Sequence, residues 1–133
     1  MRKLTWLIGL LGLLAPLAMA ADAPAADYRP DTFAIAADGT EVTAKISKLS
    51  GVSPYFHLYD VTGKPIEIMA NPHLDLEFGT GPAAAMTLAN KGVTVLVGGM
   101  AGPKMMDVLD EQKVRFVQRF GTVEDVAKEL RGE

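Results

Sequence analysis

The stretch VLVGGMAGPKMMDVL, residues 95–109, gives the clearest indication of the fold class of this chain. A short apolar run stops at two glycines, turns through Gly102 and Pro103, and continues as a helical pattern. The run that leads into the glycines, VTVLV at residues 93–97, is continuously apolar, which is typical of a strand buried on both faces. The stretch therefore predicts a buried strand, a glycine-rich loop, and a helix over residues 103–112 that begins with a proline.

The segments before this unit predict three further strands and one more helix. TFAIAADG, residues 32–39, reads as a short strand that ends at a turn, and SPYFHLYD, residues 53–60, alternates between two faces. A tight turn joins it to the alternating run at residues 65–70, which indicates an antiparallel hairpin. A glycine-proline pair at residues 81–82 starts a helix, and Gly92 ends it.

The complete order of elements is β-β-β-α-β-α-β-α. A last strand at residues 114–117 precedes a helix that starts with a capping box at residues 122–125. We therefore expect an α/β fold with a mixed five-stranded sheet and flanking helices. If the fourth strand runs parallel beside the first, the segments that follow the first, third and fourth strands lie at the same end of the sheet, which we call the rim. These segments are residues 38–39, 71–81 and 98–102, and the loop before the second strand joins them there. Open α/β sheets bind ligands at this carboxyl rim.

The start of the chain has the pattern of a secretory signal peptide over residues 1–20. A basic MRK start precedes a long apolar run, and AMA at residues 18–20 is a small-x-small cleavage site. We expect an exported, periplasmic protein that is cleaved after Ala20 and has no membrane attachment afterwards. Residues 21–31 predict a flexible mature N-terminus, and residues 32–131 are expected to form the folded domain.

The charge balance and the lack of cysteine limit the kinds of ligand and partner that this chain is expected to bind. The chain has 13 basic and 16 acidic residues, and two of the basic residues lie in the predicted signal, which leaves 11 basic residues and a net charge of −5 in the mature chain. This balance argues against nucleic acid and against an anionic membrane as partners. The chain has no cysteine, so a metal would have to be held by histidine, methionine, carboxylate or backbone groups.

The glycine-rich loop has two interpretations that the residues alone leave open. Gly98, Gly99 and Gly102 permit close backbone approach, and the helix that starts at Pro103 presents free N–H groups, so the loop is an anion site in outline. It is equally the turn that any buried strand needs before a helix. The loop is neither a Walker loop nor a dinucleotide fingerprint, because the required lysine and glycine spacings are missing.

His73 and Met100 are the candidate metal ligands. His73 lies in a polar, irregular segment at the expected rim, and Met100 lies inside the glycine-rich loop rather than on a helix face. Met69 ends the third strand near His73, whereas His57 lies within a strand and is expected to be structural. The methionines on helices are predicted to be core residues: Met86, Met105 and Met106.

No catalytic arrangement stands out. No serine is flanked by glycines in the order of a nucleophile elbow, and no carboxylates are paired at a helical spacing. We therefore expect a binding protein rather than an enzyme.

Four segments in sequence order, SPYFHLYD, IMANPH, GTGPAAAMTLANKGVTVLVGGMAGPK and GTVEDVAKEL, together resemble the dinitrogenase iron-molybdenum cofactor biosynthesis domain. This family includes nitrogenase cofactor carriers and proteins of the orange-protein type. The resemblance covers residues 32–130. It implies a ribonuclease H-like fold and a non-enzymatic carrier or scaffold for an iron–molybdenum or molybdenum–copper sulfide cluster.

The resemblance also implies where the cluster would lie. It would be surrounded by the loop before the second strand, the segment after the third strand, the turn before the first helix and the glycine-rich loop. The residues so implied are Ser50, Gly51, Ser53, Asn71, His73, Gly79, Thr80, Gly81, Gly98, Gly99, Met100 and Gly102.

Three hypotheses follow. The first is an exported carrier of a molybdenum, iron or copper–sulfur cluster that serves a client metalloprotein. The second is a mononuclear copper protein that uses His73, Met69 and Met100, because imidazole and thioether are suitable soft ligands. The third is a metal-free interaction module that binds a protein partner at the rim.

Overall fold

The computed structural model describes residues 30–133, and the predicted signal peptide and residues 21–29 lie outside this region. Within it, the chain forms five strands, three α-helices and one short 3-10 turn. The elements are β1 (Thr32–Ala37), the 3-10 turn (Ser50–Val52), β2 (Tyr55–Asp60), β3 (Pro65–Ala70), α1 (Thr80–Asn90), β4 (Val95–Gly98), α2 (Pro103–Glu111), β5 (Arg115–Gln118) and α3 (Val123–Leu130).

The strands form one mixed sheet in the order β3-β2-β1-β4-β5. β2 pairs antiparallel with β1 and β3, while β4 pairs parallel with β1 and β5. In the register of the central pair, Ile35 of β1 lies opposite Val97 of β4. The predicted α/β class, mixed five-stranded sheet and parallel placement of β4 beside β1 are confirmed, and the topology is compatible with the ribonuclease H-like expectation.

The strand alternation builds a core on each face of the sheet. Phe56 and Leu58 of β2 pack on one side with Leu88 of α1 and Leu109 of α2. Ile35 and Tyr59 pack on the other side with α3. α3 begins as predicted, because Thr122 and Asp125 form both hydrogen bonds of a capping box.

The side chains of two helical methionines are more exposed than predicted. Met86 is 41% exposed rather than in the core, because the buried side of α1 carries Ala84, Ala85 and Leu88 and Met86 points away from them. Met105 is buried as predicted, whereas Met106 is only partly buried at the edge of the core.

The fourth and fifth strands each lie slightly later in the chain than the apolar pattern indicated. Among the helices of residues 30–133, none is long and apolar enough to cross a membrane.

Candidate ligand-binding site at the carboxyl rim

The rim forms because a loop that follows β1 is fastened across the ends of β1 and β4. The backbone N–H of Ser47 donates to the carbonyl of Ala36 at 2.9 Å, and the N–H of Gly99 donates to the carbonyl of Ser47 at 3.0 Å. The N–H of Ser50 then donates to the carbonyl of Met100 at 2.7 Å. The loop before β2 and the glycine-rich loop therefore meet at one edge of the sheet, as the strand directions predicted.

The first two glycines of the glycine-rich loop permit this close contact. A Cβ on Gly99 would lie 2.6 Å from the carbonyl oxygen of Lys48 and 2.8 Å from that of Ser47. A Cβ on Gly98 would overlap the hydroxyl of Ser50. Close packing of backbone on backbone accounts for both glycines, and their contact with a ligand stays a prediction.

Gly102 differs from them because it borders open space. A Cβ at this position would meet nothing within 4 Å, and the backbone is extended, with φ −67° and ψ 164°. Gly102 is the N-cap residue of α2, and no side chain caps this helix. The loop thus has two parts: Gly98 and Gly99 serve packing, and Gly102 leaves a helix N-terminus uncovered.

A cavity of about 460 Å³ lies at this uncovered terminus, between the starts of α1 and α2 and the 3-10 turn. We call it the rim cavity. It is lined by Leu49, Gly51, Val52, Gly81, Pro82, Gly102, Pro103, Lys104 and Met105. Of the site residues expected from the family resemblance, Gly51, Gly81 and Gly102 line this cavity.

Residues of the first turns of α1 and α2 line the rim cavity, and neither helix has a side-chain cap. α1 has Gly79 as its N-cap residue, and neither helix has an acidic residue in its first turn. The first N–H groups of a helix have no intrahelical partner; in α2 these include the amides of Lys104 and Met105, because the first intrahelical bond is donated by Met106 to Gly102. Such a terminus carries a partial positive charge and favours an anion.

Lys104 adds a full positive charge to this terminus. A cation in the first turn interacts unfavourably with the helix dipole, at a cost of about 0.3–1 kcal/mol for an exposed site. Within the described part of the chain, no carboxylate lines the rim cavity to offset this charge. An anionic ligand would offset both charges at once, so the electrostatics of the cavity favour an anion and disfavour a bare metal cation.

Three polar residues expected at the site are engaged in holding the rim together. The amide nitrogen of Asn71 donates to the carbonyls of Gly51 and Ser53 at 3.2 and 3.0 Å. The hydroxyl of Ser53 lies 3.1 Å from the carbonyl of Ala37 and 2.9 Å from the hydroxyl of Ser47. Ser50 is fully buried and contributes through its backbone N–H, since its hydroxyl has no hydrogen-bond partner among residues 30–133.

The remaining expected residues lie around this arrangement. Nε2 of His73 is 2.7 Å from the hydroxyl of Thr87 on α1, and His73 does not line the rim cavity. Met100 is 56% exposed and its backbone bridges to Leu49. Gly79 has a φ of +79°, which favours glycine, and Thr80 follows it as the first residue of α1.

The structure does not join the three candidate copper ligands. His73 bonds to α1, Met69 of β3 is packed against the core beside Phe56, and Met100 is exposed in the loop after β4. Among residues 30–133, no group of three or more histidines, cysteines or carboxylates is placed to hold a metal ion. His57 is structural, as expected: it is buried and its Nε2 lies 2.8 Å from the carbonyl oxygen of Gly39.

Six residues that line the rim cavity were not among the expected site residues: Leu49, Val52, Pro82, Pro103, Lys104 and Met105. Lys104 carries a signal that was available, because a lysine directly after a helix-starting proline opposes the helix dipole. The position of Leu49 and Val52 had no local signal, since the 3-10 turn is defined by contacts with distant residues.

Comparison with known proteins identifies the family. The family model described as dinitrogenase iron-molybdenum cofactor matches residues 32–133, which is most of the chain. The chain belongs to this family. The resemblance drawn from the sequence motifs is therefore confirmed.

Two solved structures of similar proteins support the assignment. The apo form of the orange protein from Desulfovibrio gigas is 27% identical, with a TM-score of 0.71 over 78% of this chain and 90% of that one. A putative NifB protein from Thermotoga, solved by NMR, is 28% identical, with a TM-score of 0.63 over 76% of this chain and 90% of that one. No curated protein matches this member of the family in sequence.

Proposed function

We propose that this protein is an exported, non-enzymatic carrier that binds an anionic metal–sulfur cluster in the rim cavity and delivers it to a client metalloprotein. The observation that carries the proposal is that the uncapped first turns of two helices meet Lys104 at a cavity that no carboxylate of residues 30–133 lines. Metal–sulfide clusters with net negative charge are ligands that backbone N–H groups and a lysine bind well.

Two further facts support the cluster as the ligand. The family is described by the iron-molybdenum cofactor, so its name points to a molybdenum- and iron-containing ligand. The cavity volume of about 460 Å³ lies within the range of small-molecule sites and exceeds what one metal ion needs.

Metal uptake and two substitutions in α2 test the proposal. The protein is expressed with molybdate, iron and copper, and the purified protein is analysed for metals, acid-labile sulfide and visible charge-transfer absorption. Gly102→Asp supplies a preferred N-cap residue, and Lys104→Glu removes the cation from the helix start. Both changes should raise the stability of the empty protein by about 0.5–1 kcal/mol. Both should lower cluster uptake at least tenfold, because each places a carboxylate where the anion binds.

Lys128→Glu is the matched control, since it reverses one charge in the last turn of α3, away from the cavity. We expect it to leave uptake unchanged. Bound metal without sulfide that depends on His73 and Met100 would support mononuclear copper instead. Absence of metal above background in the wild type and in His73→Ala would reject the carrier function.

Export is tested separately by cell fractionation. The proposal predicts a periplasmic protein whose N-terminal residue is Ala21, because the cleavage pattern ends at Ala20. Recovery of the protein in the cytoplasm with the initial methionine retained would overturn the export part alone.

A further inference from the structure

We propose that the surface around the mouth of the rim cavity is a docking face for a protein partner whose contact surface has an apolar centre and an acidic border. The docking face consists of Lys45, Lys48, Leu49, Val52, Lys104 and Phe120. This inference rests on the proposed function, because a client that takes the ligand must approach the cavity mouth.

The docking face is continuous because neighbouring hollows share their lining residues. Leu49 and Val52 line both the rim cavity and a second hollow of about 320 Å³. Lys45 and Lys48 line that second hollow and a third one of about 270 Å³, which reaches Phe120. One concave surface therefore extends from the start of α2 to the loop before α3.

Large apolar side chains are exposed along this surface. Leu49 is 56% exposed, Val52 51% and Phe120 64%, and Met100, which bridges to Leu49 through the backbone, is 56% exposed. Grouped apolar side chains with a polar border mark interaction surfaces in soluble proteins, whereas isolated ones do not.

The backbone that presents these side chains is fixed. The N–H of Ile46 donates to the carbonyl of Gly121 at 2.9 Å, and the N–H of Asp38 donates to the carbonyl of Lys45 at 2.9 Å. Nε2 of Gln118 donates to the carbonyl of Gly99 at 2.7 Å. A surface that is held in place before binding loses little conformational entropy on association.

Charge decides what kind of partner fits. Lys45, Lys48 and Lys104 line the three hollows, and the only carboxylate among their lining residues, that of Asp38, accepts a hydrogen bond from Ser47 at 2.6 Å. The face is therefore basic in a chain whose net charge is −3. An acidic border on the partner would complement it, steer association and fix the orientation. An anionic membrane is disfavoured, because three lysines contribute only about 1 kcal/mol each at a lipid surface and the face is concave.

The test uses a selected peptide as the partner probe. A random peptide library is selected against the wild-type protein, and the binding site of an enriched synthetic peptide is mapped by NMR chemical shifts. We expect enriched sequences in which a large apolar residue is flanked by Asp or Glu, with shifts at Lys45, Leu49 and Phe120. Raising the salt concentration from about 50 to about 300 mM should weaken binding about tenfold, because the charges are exposed.

Matched variants separate the docking face from the rest of the surface. Lys45→Glu with Lys48→Glu should weaken peptide binding at least tenfold, and Lys64→Glu with Lys128→Glu changes the net charge equally but should have no effect. Phe120→Ser should weaken peptide binding. Val61→Ser should not, because Val61 lies in the turn after β2, at the end of the sheet opposite the rim. If the double variant Lys45→Glu with Lys48→Glu does not fold, the neutral double variant Lys45→Gln with Lys48→Gln replaces it, and it should also weaken peptide binding.

The outcomes distinguish this proposal from the carrier function. Loss of peptide binding by Lys45→Glu with Lys48→Glu, while metal uptake is retained, supports the docking face. Enriched peptides without acidic residues, binding that ignores these lysines, or lysine-dependent binding to phosphatidylglycerol vesicles would each overturn it. A wild-type protein that takes up no metal but binds acidic peptides here would reject the carrier function and leave the docking face standing.

Discussion

The carbonyl oxygen of Met100 accepts a hydrogen bond of 2.7 Å from the backbone N–H of Ser50, which joins the glycine-rich loop to the 3-10 turn. These residues lie far apart in the sequence, and their contact fixes the two chain segments that supply Leu49, Gly51 and Gly102 to the lining of the rim cavity. Backbone hydrogen bonds between the two loops therefore hold the rim together. Its stability depends on the small residues that let the loops come close to each other.

Gly99→Ala is expected to destabilise the protein by about 1–3 kcal/mol, because the added Cβ would lie 2.6 Å from the carbonyl oxygen of Lys48 and force the loops apart. Gly102→Ala is the control: its Cβ meets nothing within 4 Å, so we expect a cost below about 1 kcal/mol. Urea denaturation of both variants measures the difference. Equal destabilisation by the two alanines would show that loop packing does not explain Gly99.

Ser50→Ala and Ser53→Ala are expected to act in opposite directions, although both serines are fully buried. The hydroxyl of Ser50 has no partner in the described region, so its removal should leave stability unchanged or raise it by up to about 1 kcal/mol. The hydroxyl of Ser53 lies within hydrogen-bond distance of the Ser47 hydroxyl and of two backbone carbonyls, and it can donate its one hydrogen to one of them at a time, so its removal should cost about 1–3 kcal/mol. Thermal unfolding of the pair tests this; a large loss in Ser50→Ala would reveal a partner for that hydroxyl.

Lys113→Gly is expected to stabilise the protein by about 1 kcal/mol. Lys113 follows α2 with a φ of 60°, a left-handed conformation that costs a residue with a Cβ about 1–2 kcal/mol. Lys113→Ala removes the same charge but keeps the strain, so it should give no gain in the urea midpoint. If alanine stabilises as much as glycine, charge rather than backbone conformation is responsible.

Asp125→Asn is expected to lower stability at neutral pH and to matter less as the pH falls. The pKa of Asp125 lies below its ordinary value of 3.8, first because the backbone N–H of Thr122 donates to its carboxylate and then because of the Thr122 hydroxyl. As the pH falls, the Asp125 carboxylate is therefore protonated in the unfolded state before it is protonated in the folded state. Its contribution to the free energy of unfolding is present above pH 3.8 and is lost as the pH falls through the lower pKa of the folded state.

Urea midpoints of wild type and Asp125→Asn, measured between about pH 7 and about pH 2, should therefore converge toward acid pH. Asp75→Asn is the control for the loss of one carboxylate, because the carboxylate of Asp75 accepts no hydrogen bond within the described region. A gap between wild type and Asp125→Asn that stays constant down to acid pH would contradict the assignment of the capping box as its cause.

Most of the fold was predictable because its signals are local. The alternation of Phe56 and Leu58 with Tyr55 and Tyr59 indicated a two-faced strand, and the apolar run before Gly98 indicated a buried one. Met86 was misassigned because the alanine-rich segment AAAMTLANK, residues 83–91, does not show which side of the helix will face the sheet. The 3-10 turn was missed because its position is set by the hydrogen bond from Ser50 to Met100 rather than by its own residues.

The candidate site was only partly predictable. The meeting of the rim segments followed from strand directions, and Gly51, Gly81 and Gly102 do line the cavity. The placement of His73 beside Thr87 did not follow, because a polar residue in an irregular segment bonds to whichever neighbour the fold supplies. Its role as a ligand stays a prediction.

Local sequence patterns were enough to predict the order of strands and helices, the family, and the uncapped start of α2, because periodicity, caps and glycine-proline pairs act over a few residues. The tertiary structure alone decided that Gly99 serves packing while Gly102 stays open, and that Lys104 faces a cavity shared with α1. These outcomes depend on which distant backbones come within a few ångströms of each other, and no local pattern encodes that distance.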